Sequence, residues 1–189
     1  TTLGVMTNNR FHFGIGVSPW YEDFLATGER WEKRGKRMDE QITILRGLMG
    51  GDYFGFKGDF YDIPDLKLCP VPSQPVPILI GGPSKRALKR AAKLGDGWIS
   101  SGITLDETKD FINQINSYRE EFGTLDHPNY QFQVMGEAAY SPDGVKALED
   151  LGATEVIVAF RNAYEGGPDE RTLDSMKAEI SWYAEEVIN

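Results

Sequence analysis

The chain has 189 residues, of which 40% are hydrophobic and 26% are charged, and its formal net charge is −9. This length supports one substantial core, so we predict a single domain over residues 1–189. The acidic excess argues against binding to nucleic acid or to a membrane surface, and no apolar run approaches the ~20 residues of a membrane span. The single cysteine, Cys69, cannot form an internal disulfide, which favours a cytoplasmic location. The two histidines and this cysteine are widely separated, so we expect no metal site.

The first predicted strand is Arg10–Val17, where apolar side chains alternate with small or polar ones. It follows Thr1–Asn9, where we expect no helix. Gly14 and Gly16 share one face of the strand. Their density indicates close approach of another backbone or of a flat ligand, or else a tight helix contact.

A loop, a long helix and a surface excursion are predicted next. We expect the loop over Ser18–Thr27 and the helix over residues 29–49, which Gly50 and Gly51 end. Residues 50–74 contain several prolines and glycines, a composition unsuited to a central strand. We therefore predict a surface excursion or lid there, with a small hairpin in FGFKGDFYDI.

The chain is organised around a strand, a glycine turn and a helix in residues 75–97. The apolar run Val76–Ile80 ends at Gly81 and Gly82, and Ser84 precedes a helical pattern that runs to Gly95. Free backbone N–H groups at such a helix start favour a phosphate or a carboxylate. Ser84 is also a natural N-cap, and that role alone would explain it.

The cations of this helix lie opposite its predicted buried face. At 100° per residue we expect a solvated outer face rather than an anion clamp, formed by Arg86, Lys89, Arg90 and Lys93. Lys85, in the first turn, lies near the rim of the turn.

Strands and helices continue to alternate towards the carboxyl end. The predicted strands are 97–101, 130–139 and 154–160, and the predicted helices are 105–122, 141–151 and 172–188. Five βα units imply a parallel sheet with its site at the carboxyl ends of the strands. They fit either an open doubly wound domain or the last five units of an eight-unit barrel.

Segments in the right order with the right gaps resemble the bacterial luciferase-like monooxygenase superfamily, most of all its branch that uses the deazaflavin coenzyme F420. They are NNRFHFGIGVSPW, ERWEKRGKRMDEQITILRGLM, FKGDFYDI, VPILIGGPSKRALKRAAKLGDGW and DGVKALEDLGATEVIVAF. The resemblance implies an α/β fold of the (β/α)8 TIM-barrel family, with this chain carrying about the last five βα units. It also implies that a preceding segment, another chain or a second copy in a homo-oligomer completes the barrel.

The resemblance implies where the cofactor lies. The segment Gly16–Val17–Ser18–Pro19 resembles the part of the family that lies against the ring, and Ile80–Gly81–Gly82 resembles the turn that binds the cofactor phosphate. With Ser84, these are the candidate cofactor-binding residues. The implied chemistry is hydride transfer between coenzyme F420 and a small organic substrate, for which the protein supplies orientation. Two alternatives remain open: an FMN-dependent monooxygenase, and a non-catalytic half-barrel that acts as a binding module.

Two side chains at predicted strand ends are candidates for catalysis. Glu137 follows Gly136, where a carboxylate would act as a general acid or base or would pair with an arginine. Arg161 follows an apolar strand and would meet an anionic substrate or the acidic tail of the cofactor, or would lie in a surface loop. His127 is expected at the opposite end of the barrel.

Overall fold

A computed structural model describes residues 1–161 and 167–188. Its strands are β1 (Phe13–Ile15), β2 (Phe54–Lys57), β3 (Asp62–Leu66), β4 (Ile78–Gly81), β5 (Gly97–Ile99), β6 (Gln131–Met135) and β7 (Glu155–Ile157). The α-helices are α1 (Thr2–Met6), α2 (Tyr21–Thr27), α3 (Arg34–Met49), α4 (Lys85–Leu94), α5 (Leu105–Phe122), α6 (Pro142–Asp150) and α7 (Leu173–Tyr183). A 3-10 turn covers Glu137–Tyr140, and α7 continues as a π-helical turn over Ala184–Ile188.

Five strands form one parallel sheet in the order β1-β4-β5-β6-β7. Each is followed along the chain by at least one helix before the next strand of the sheet begins, so the predicted series of five βα units is confirmed. Because the strands are parallel, their carboxyl ends lie along one edge of the sheet, which is where a site is expected in such folds.

One face of the sheet packs against the helices. Ile15, Ile80, Trp98 and Phe132 are successive partners across four strands, and all four belong to this layer. Helix residues that pack there include Ile42, Leu88, Ala91, Ile112 and Ile115. Burying each large aliphatic side chain contributes about 1.5–3 kcal/mol, so this layer holds the sheet edge in a fixed shape.

The predicted hairpin in the excursion is confirmed as the antiparallel pair β2–β3. Its turn is anchored on α3: the carboxylate of Glu40 accepts hydrogen bonds from the backbone N–H groups of Asp59 (2.7 Å), Phe60 (3.0 Å) and Tyr61 (3.1 Å). A Cβ on Gly58 would lie 2.5 Å from the same carboxylate, so a larger residue there would displace it from the turn. A role for residues 50–74 as a lid stays a prediction.

The prediction of a loop over Ser18–Thr27 is wrong, because α2 covers Tyr21–Thr27. The Ser18 hydroxyl accepts from the N–H of Trp20 at 3.1 Å and donates to the carboxylate of Asp23, which organises the start of this helix. Glu22 and Asp23 also lie in the first turn, where negative charge is favourable.

Several predicted boundaries also need correction. The strand predicted over Arg10–Val17 is shorter, as β1 covers Phe13–Ile15, and the strand predicted over residues 154–160 is β7, Glu155–Ile157. Thr1–Asn9 contains α1, whose Gly4 packs against Pro72. Helix α3 begins at Arg34 rather than at residue 29, because Lys33 has a left-handed conformation with φ +57°. The strand predicted over residues 130–139 ends at Met135, and the 3-10 turn replaces its last part. Within residues 1–161 and 167–188, no helix combines the length and the apolarity needed to cross a bilayer.

Candidate functional site

The turn between β4 and α4 has the geometry of an anion site. Gly82 has φ +113°, a conformation that L side chains rarely adopt. The Ser84 hydroxyl accepts from the N–H of Ala87 at 3.2 Å, so Ser84 is the N-cap. The N–H groups of Lys85 and Arg86 come before the first intrahelical bond of α4 and point out of the helix start. They are therefore placed to bind an anion.

A buried tryptophan holds this turn. The indole Nε1 of Trp98 in β5 donates a 3.0 Å hydrogen bond to the carbonyl oxygen of Gly82. Trp98 is 1% exposed and packs against Phe111 of α5, with ring centroids 5.5 Å apart. The sequence indicates only a packing role for Trp98, since nothing in the spacing of residues 82 and 98 shows that they meet.

The glycines of β1 leave an open wall beside this turn. A Cβ on Gly14 would meet no atom within 4 Å, and a Cβ on Gly16 would lie 3.9 Å from the carbonyl oxygen of Gly81. Neither position is in tight contact with a neighbouring element, so the space beside these glycines can accommodate a flat group.

A groove of about 1150 Å³ brings together most of the candidate cofactor-binding residues. Its lining includes Val17, Ser18, Pro19, Gly81, Gly82 and Ser84. Gly16 lies just beside it and lines a smaller apolar groove between β1 and α3. Ile80 has a fully buried side chain on the helix-facing side, so only its backbone is available to a ligand.

The groove continues between α3 and α4 and is strongly basic. Seven cationic side chains line it, against the two acids Asp39 and Glu40: Lys33, Arg34, Lys36, Arg86, Lys89, Arg90 and Lys93. The expectation that all four cations of α4 are solvated is wrong for Arg90, whose side chain is only 9% exposed. Arg90 bonds to the carboxylate of Asp39 and to the carbonyl oxygen of Gly35, and so ties α4 to α3.

The two catalytic candidates lie outside the groove. Glu137 is exposed and begins the 3-10 turn after β6. Arg161 donates to the carbonyl oxygen of Gly167 at 3.0 Å and lies 3.5 Å from Asp169. Neither candidate contacts the residues proposed for the cofactor.

Asp169 is the centre of a cation-rich cluster near Arg161. Hydrogen bonds from the side chain and the backbone of Arg171 lower the pKa of Asp169 to about 2. Arg171 also donates to Glu179 and to the carbonyl oxygen of Phe160. This arrangement ties the segment after β7 to α7, and Arg161 contacts it through Asp169.

His127 lies at the amino-terminal edge of the sheet, as predicted. Its Nε2 is 3.3 Å from Asp96, which also accepts from Arg46 and from the N–H of Ile78. Tyr130 is close to this cluster, and burial raises its pKa. The described residues contain no group of three or more His, Cys, Asp or Glu side chains that could hold a metal ion.

The comparisons with known proteins point to one family. Residues 1–177 match the profile of the luciferase-like monooxygenases. The uncharacterized protein Rv0940c of Mycobacterium tuberculosis (strain ATCC 25618 / H37Rv) is 45% identical over 187 residues, which cover 99% of this chain and 64% of that protein. An F420-dependent glucose-6-phosphate dehydrogenase of Amycolatopsis mediterranei is 33% identical over 153 residues, which cover 79% of this chain and 46% of that enzyme.

A solved structure supports the fold. The coenzyme F420-dependent tetrahydromethanopterin reductase of Methanopyrus kandleri superposes with a TM-score of 0.70 at 14% identity, covering 99% of this chain and 76% of that one. The chain therefore has the α/β architecture of luciferase-like TIM barrels, with five parallel strands of the sheet. The chain spans 64% of the length of the mycobacterial protein and 46% of the length of the glucose-6-phosphate dehydrogenase. On the match over residues 1–177, the chain belongs to the luciferase-like monooxygenase family.

Proposed function

We propose that this chain binds coenzyme F420 and serves an oxidoreductase that transfers a hydride between this deazaflavin and a small organic substrate. The observation that carries the proposal is the turn at Gly81 and Gly82. It presents the helix start of α4 to the same groove that Val17, Ser18 and Pro19 line. Relatives that use F420 support the choice of cofactor.

The residues present fit the cofactor. In this proposal the N–H groups of Lys85 and Arg86 and the hydroxyl of Ser84 hold the phosphate. Gly16 and Gly81 have no side chains, so their backbone offers the ring a flat surface from which any Cβ would protrude. When bound, the deazaflavin supplies the hydride chemistry.

The protein's own contribution is orientation. The buried Trp98 fixes the carbonyl of Gly82 on the side of the core, which leaves the amide side of the turn towards the groove. A preorganised donor set binds its anion without paying the cost of ordering a loop. The cations along the groove add a positive potential in a chain of net charge −9.

Two further expectations belong to this proposal. The edge strands β1 and β7 each have only one described neighbour in the sheet, so we expect another part of the protein or a second copy to cover these edges. We also expect a cytoplasmic location, since the one cysteine, Cys69, is free and exposed.

Titration of the folded protein with F420 and with FMN, followed by ring absorbance, tests the proposal. We expect saturable binding of one F420 per chain. Binding of FMN alone would move the protein to the flavin-dependent monooxygenases, since both cofactors carry a phosphate. A well-folded sample that binds neither would contradict the proposal and favour a non-catalytic binding module.

A further inference from the structure

The part of the groove between α3 and α4 holds more positive charge than its own acids balance. Both acids of its lining are engaged: Asp39 pairs with Arg90, and Glu40 accepts from the backbone of the hairpin turn. Lys89 pairs with Glu121 of α5 at 3.2 Å. The other five cations of the lining have no carboxylate partner within residues 1–161 and 167–188, and we call them the basic arm: Lys33, Arg34, Lys36, Arg86 and Lys93.

The start of α3 adds to this positive charge. Its N-cap residue, Lys33, makes no side-chain cap bond, and the first turn of the helix contains no acid. The first intrahelical hydrogen bond runs from the N–H of Arg37 to the carbonyl oxygen of Lys33 at 3.0 Å. The N–H groups of Gly35 and Lys36 come before it and have no intrahelical acceptor. Since both residues line the groove, the positive end of the helix dipole lies there without a negative charge in its first turn.

The cations of the basic arm are spread along the groove rather than gathered at one point. Ser84 caps the start of α4, where we propose the phosphate site, and Lys93 lies in the last turn of the same helix. At about 1.5 Å per residue these two positions are roughly 13 Å apart along the helix axis. On the α3 side, the guanidinium carbon of Arg34 lies 3.4 Å from the ring centroid of Trp31, which holds this cation in place. A single phosphate cannot reach both ends, so the arrangement suits an extended ligand with several negative charges.

We propose that the basic arm binds the chain of γ-linked glutamates that follows the phosphate in F420, and that it thereby selects F420 over FMN. The inference rests on the proposed function, because it takes the start of α4 as the phosphate site. Each glutamate of the tail carries a free carboxylate, which lysine and arginine side chains bind through charge-assisted hydrogen bonds. FMN ends at its phosphate and makes no use of these cations.

The length of the groove fits such a tail. An extended α-peptide spans ~3.3–3.6 Å per residue, and a γ-glutamyl unit has two more bonds in its main chain, so it is longer. No more than about four units are therefore needed to cover the distance from Ser84 to Lys93. Lys36, Arg86 and Lys93 are exposed, so each pair with a carboxylate contributes little by itself. Affinity should accordingly rise stepwise with the number of glutamates.

F420 species that differ only in tail length test the inference. We would measure the dissociation constants of the species with no, two and five glutamates at low ionic strength, following ring absorbance. For the wild type we expect the five-glutamate species to bind about tenfold more tightly than the species without glutamates, with the two-glutamate species between them. At about 1 M salt the preference should fall below about threefold, because exposed charges are then screened. The species without glutamates keeps the ring and the phosphate, so it reports on the phosphate site alone.

Charge-removing variants locate the effect. Lys36→Gln combined with Lys93→Gln should lower the tail preference at least about threefold and leave the affinity for the species without glutamates within about twofold. Lys93→Gln alone should weaken the five-glutamate species more than the two-glutamate species, because the shorter tail does not reach the end of α4. Lys109→Gln combined with Lys177→Gln is the matched control. It removes two exposed cations from α5 and α7, outside the groove, and should leave the tail preference unchanged.

Each outcome decides the inference. Equal affinity of the wild type for the species with and without glutamates would overturn it, and so would equal losses of preference in the arm variant and in the control. If the species without glutamates still binds in those cases, the proposed function stands. Free penta-γ-glutamate separates the two proposals further, with the backbone amide signals of Gly35 and Lys36 as the readout. Shifts of these signals in a protein that binds no F420 species would reject the proposed function and leave the groove as a site for oligocarboxylates, whereas binding of neither would reject both.

Discussion

Trp98 and Gly82 are joined by a hydrogen bond of 3.0 Å from the indole Nε1 to the backbone carbonyl oxygen. The bond connects the hydrophobic core to the turn that we propose as the phosphate site. Trp98 is almost fully buried, so its ring cannot move without disturbing the packing of β5 and α5. The shape of the turn is thus set from within the core.

Trp98→Phe should separate the hydrogen bond from the packing. A phenyl ring keeps most of the contact with Phe111 but has no donor for the Gly82 carbonyl. We expect a loss of about 1 kcal/mol in the free energy of unfolding and an F420 affinity five- to tenfold weaker. Urea denaturation and absorbance titration measure the two effects. Phe111→Leu is the control, because it perturbs the same packing without touching the turn and should leave F420 affinity within twofold.

Gly82→Ala should lower both stability and F420 affinity, although it adds only one methyl group. At φ +113° a Cβ is strained, and it would also lie 3.3 Å from the Cβ of Ala87. We expect a cost of about 1–3 kcal/mol in stability or a rearranged turn, with F420 affinity reduced at least tenfold. Gly123→Ala is the matched control, because Gly123 has φ +67° and open space around the position of a Cβ. It should lower the free energy of unfolding by about 1 kcal/mol and leave F420 affinity unchanged. Equal affinity losses in both variants would contradict the special role of Gly82.

Substitutions of Ser84 should distinguish the N-cap role from the anion role. Aspartate is as good an N-cap as serine, so Ser84→Asp should change stability by less than about 0.5 kcal/mol. Its negative charge would oppose a phosphate at the same helix start, so F420 affinity should fall at least tenfold. Ser84→Ala should lose about 1 kcal/mol of stability because the cap is removed, and its F420 affinity should fall about three- to tenfold because one hydrogen bond to the phosphate is lost. If Ser84→Asp binds F420 as well as the wild type, Ser84 is only a cap.

Because of the cluster around Asp169, the free energy of unfolding should depend on pH in the acid range. The pKa of Asp169 is lowered from 3.8 to about 2 by the hydrogen bonds from Arg171. Because the folded-state pKa is depressed, the stabilisation is present above about pH 4 and is lost as the pH falls towards 2. NMR titration of the Asp169 carboxyl should give a midpoint near 2 in the wild type and a midpoint closer to 3.8 in Arg171→Gln. An unchanged midpoint in that variant would show that Arg171 does not cause the shift.

Local patterns predicted the strands and the turn, because the determinants lie within a few residues of one another. The apolar run before Gly81, the glycine pair and the capping serine all fall within nine residues of sequence. The order of five βα units then implied a parallel sheet. These features needed no knowledge of distant contacts.

Features that depend on distant or unusual partners were missed. Helix α2 has Trp20 at its N-cap, without a side-chain cap bond, so its start carries no standard signal. The remaining signals were the acids of its first turn and Gly28 in a left-handed conformation at its end. The burial of Arg90 depends on Asp39, 51 residues away, and helical periodicity alone does not reveal such a partner.

Backbone amide chemical shifts on addition of F420 test the central claim most directly. We predict that the largest shifts fall on Gly82, Ser84, Lys85 and Arg86, with smaller ones on the segment from Gly16 to Ser18. Inorganic phosphate alone should shift the first group and leave the second unchanged. Shifts confined to other parts of the chain, or no shifts at saturating F420, would contradict the phosphate site at the start of α4.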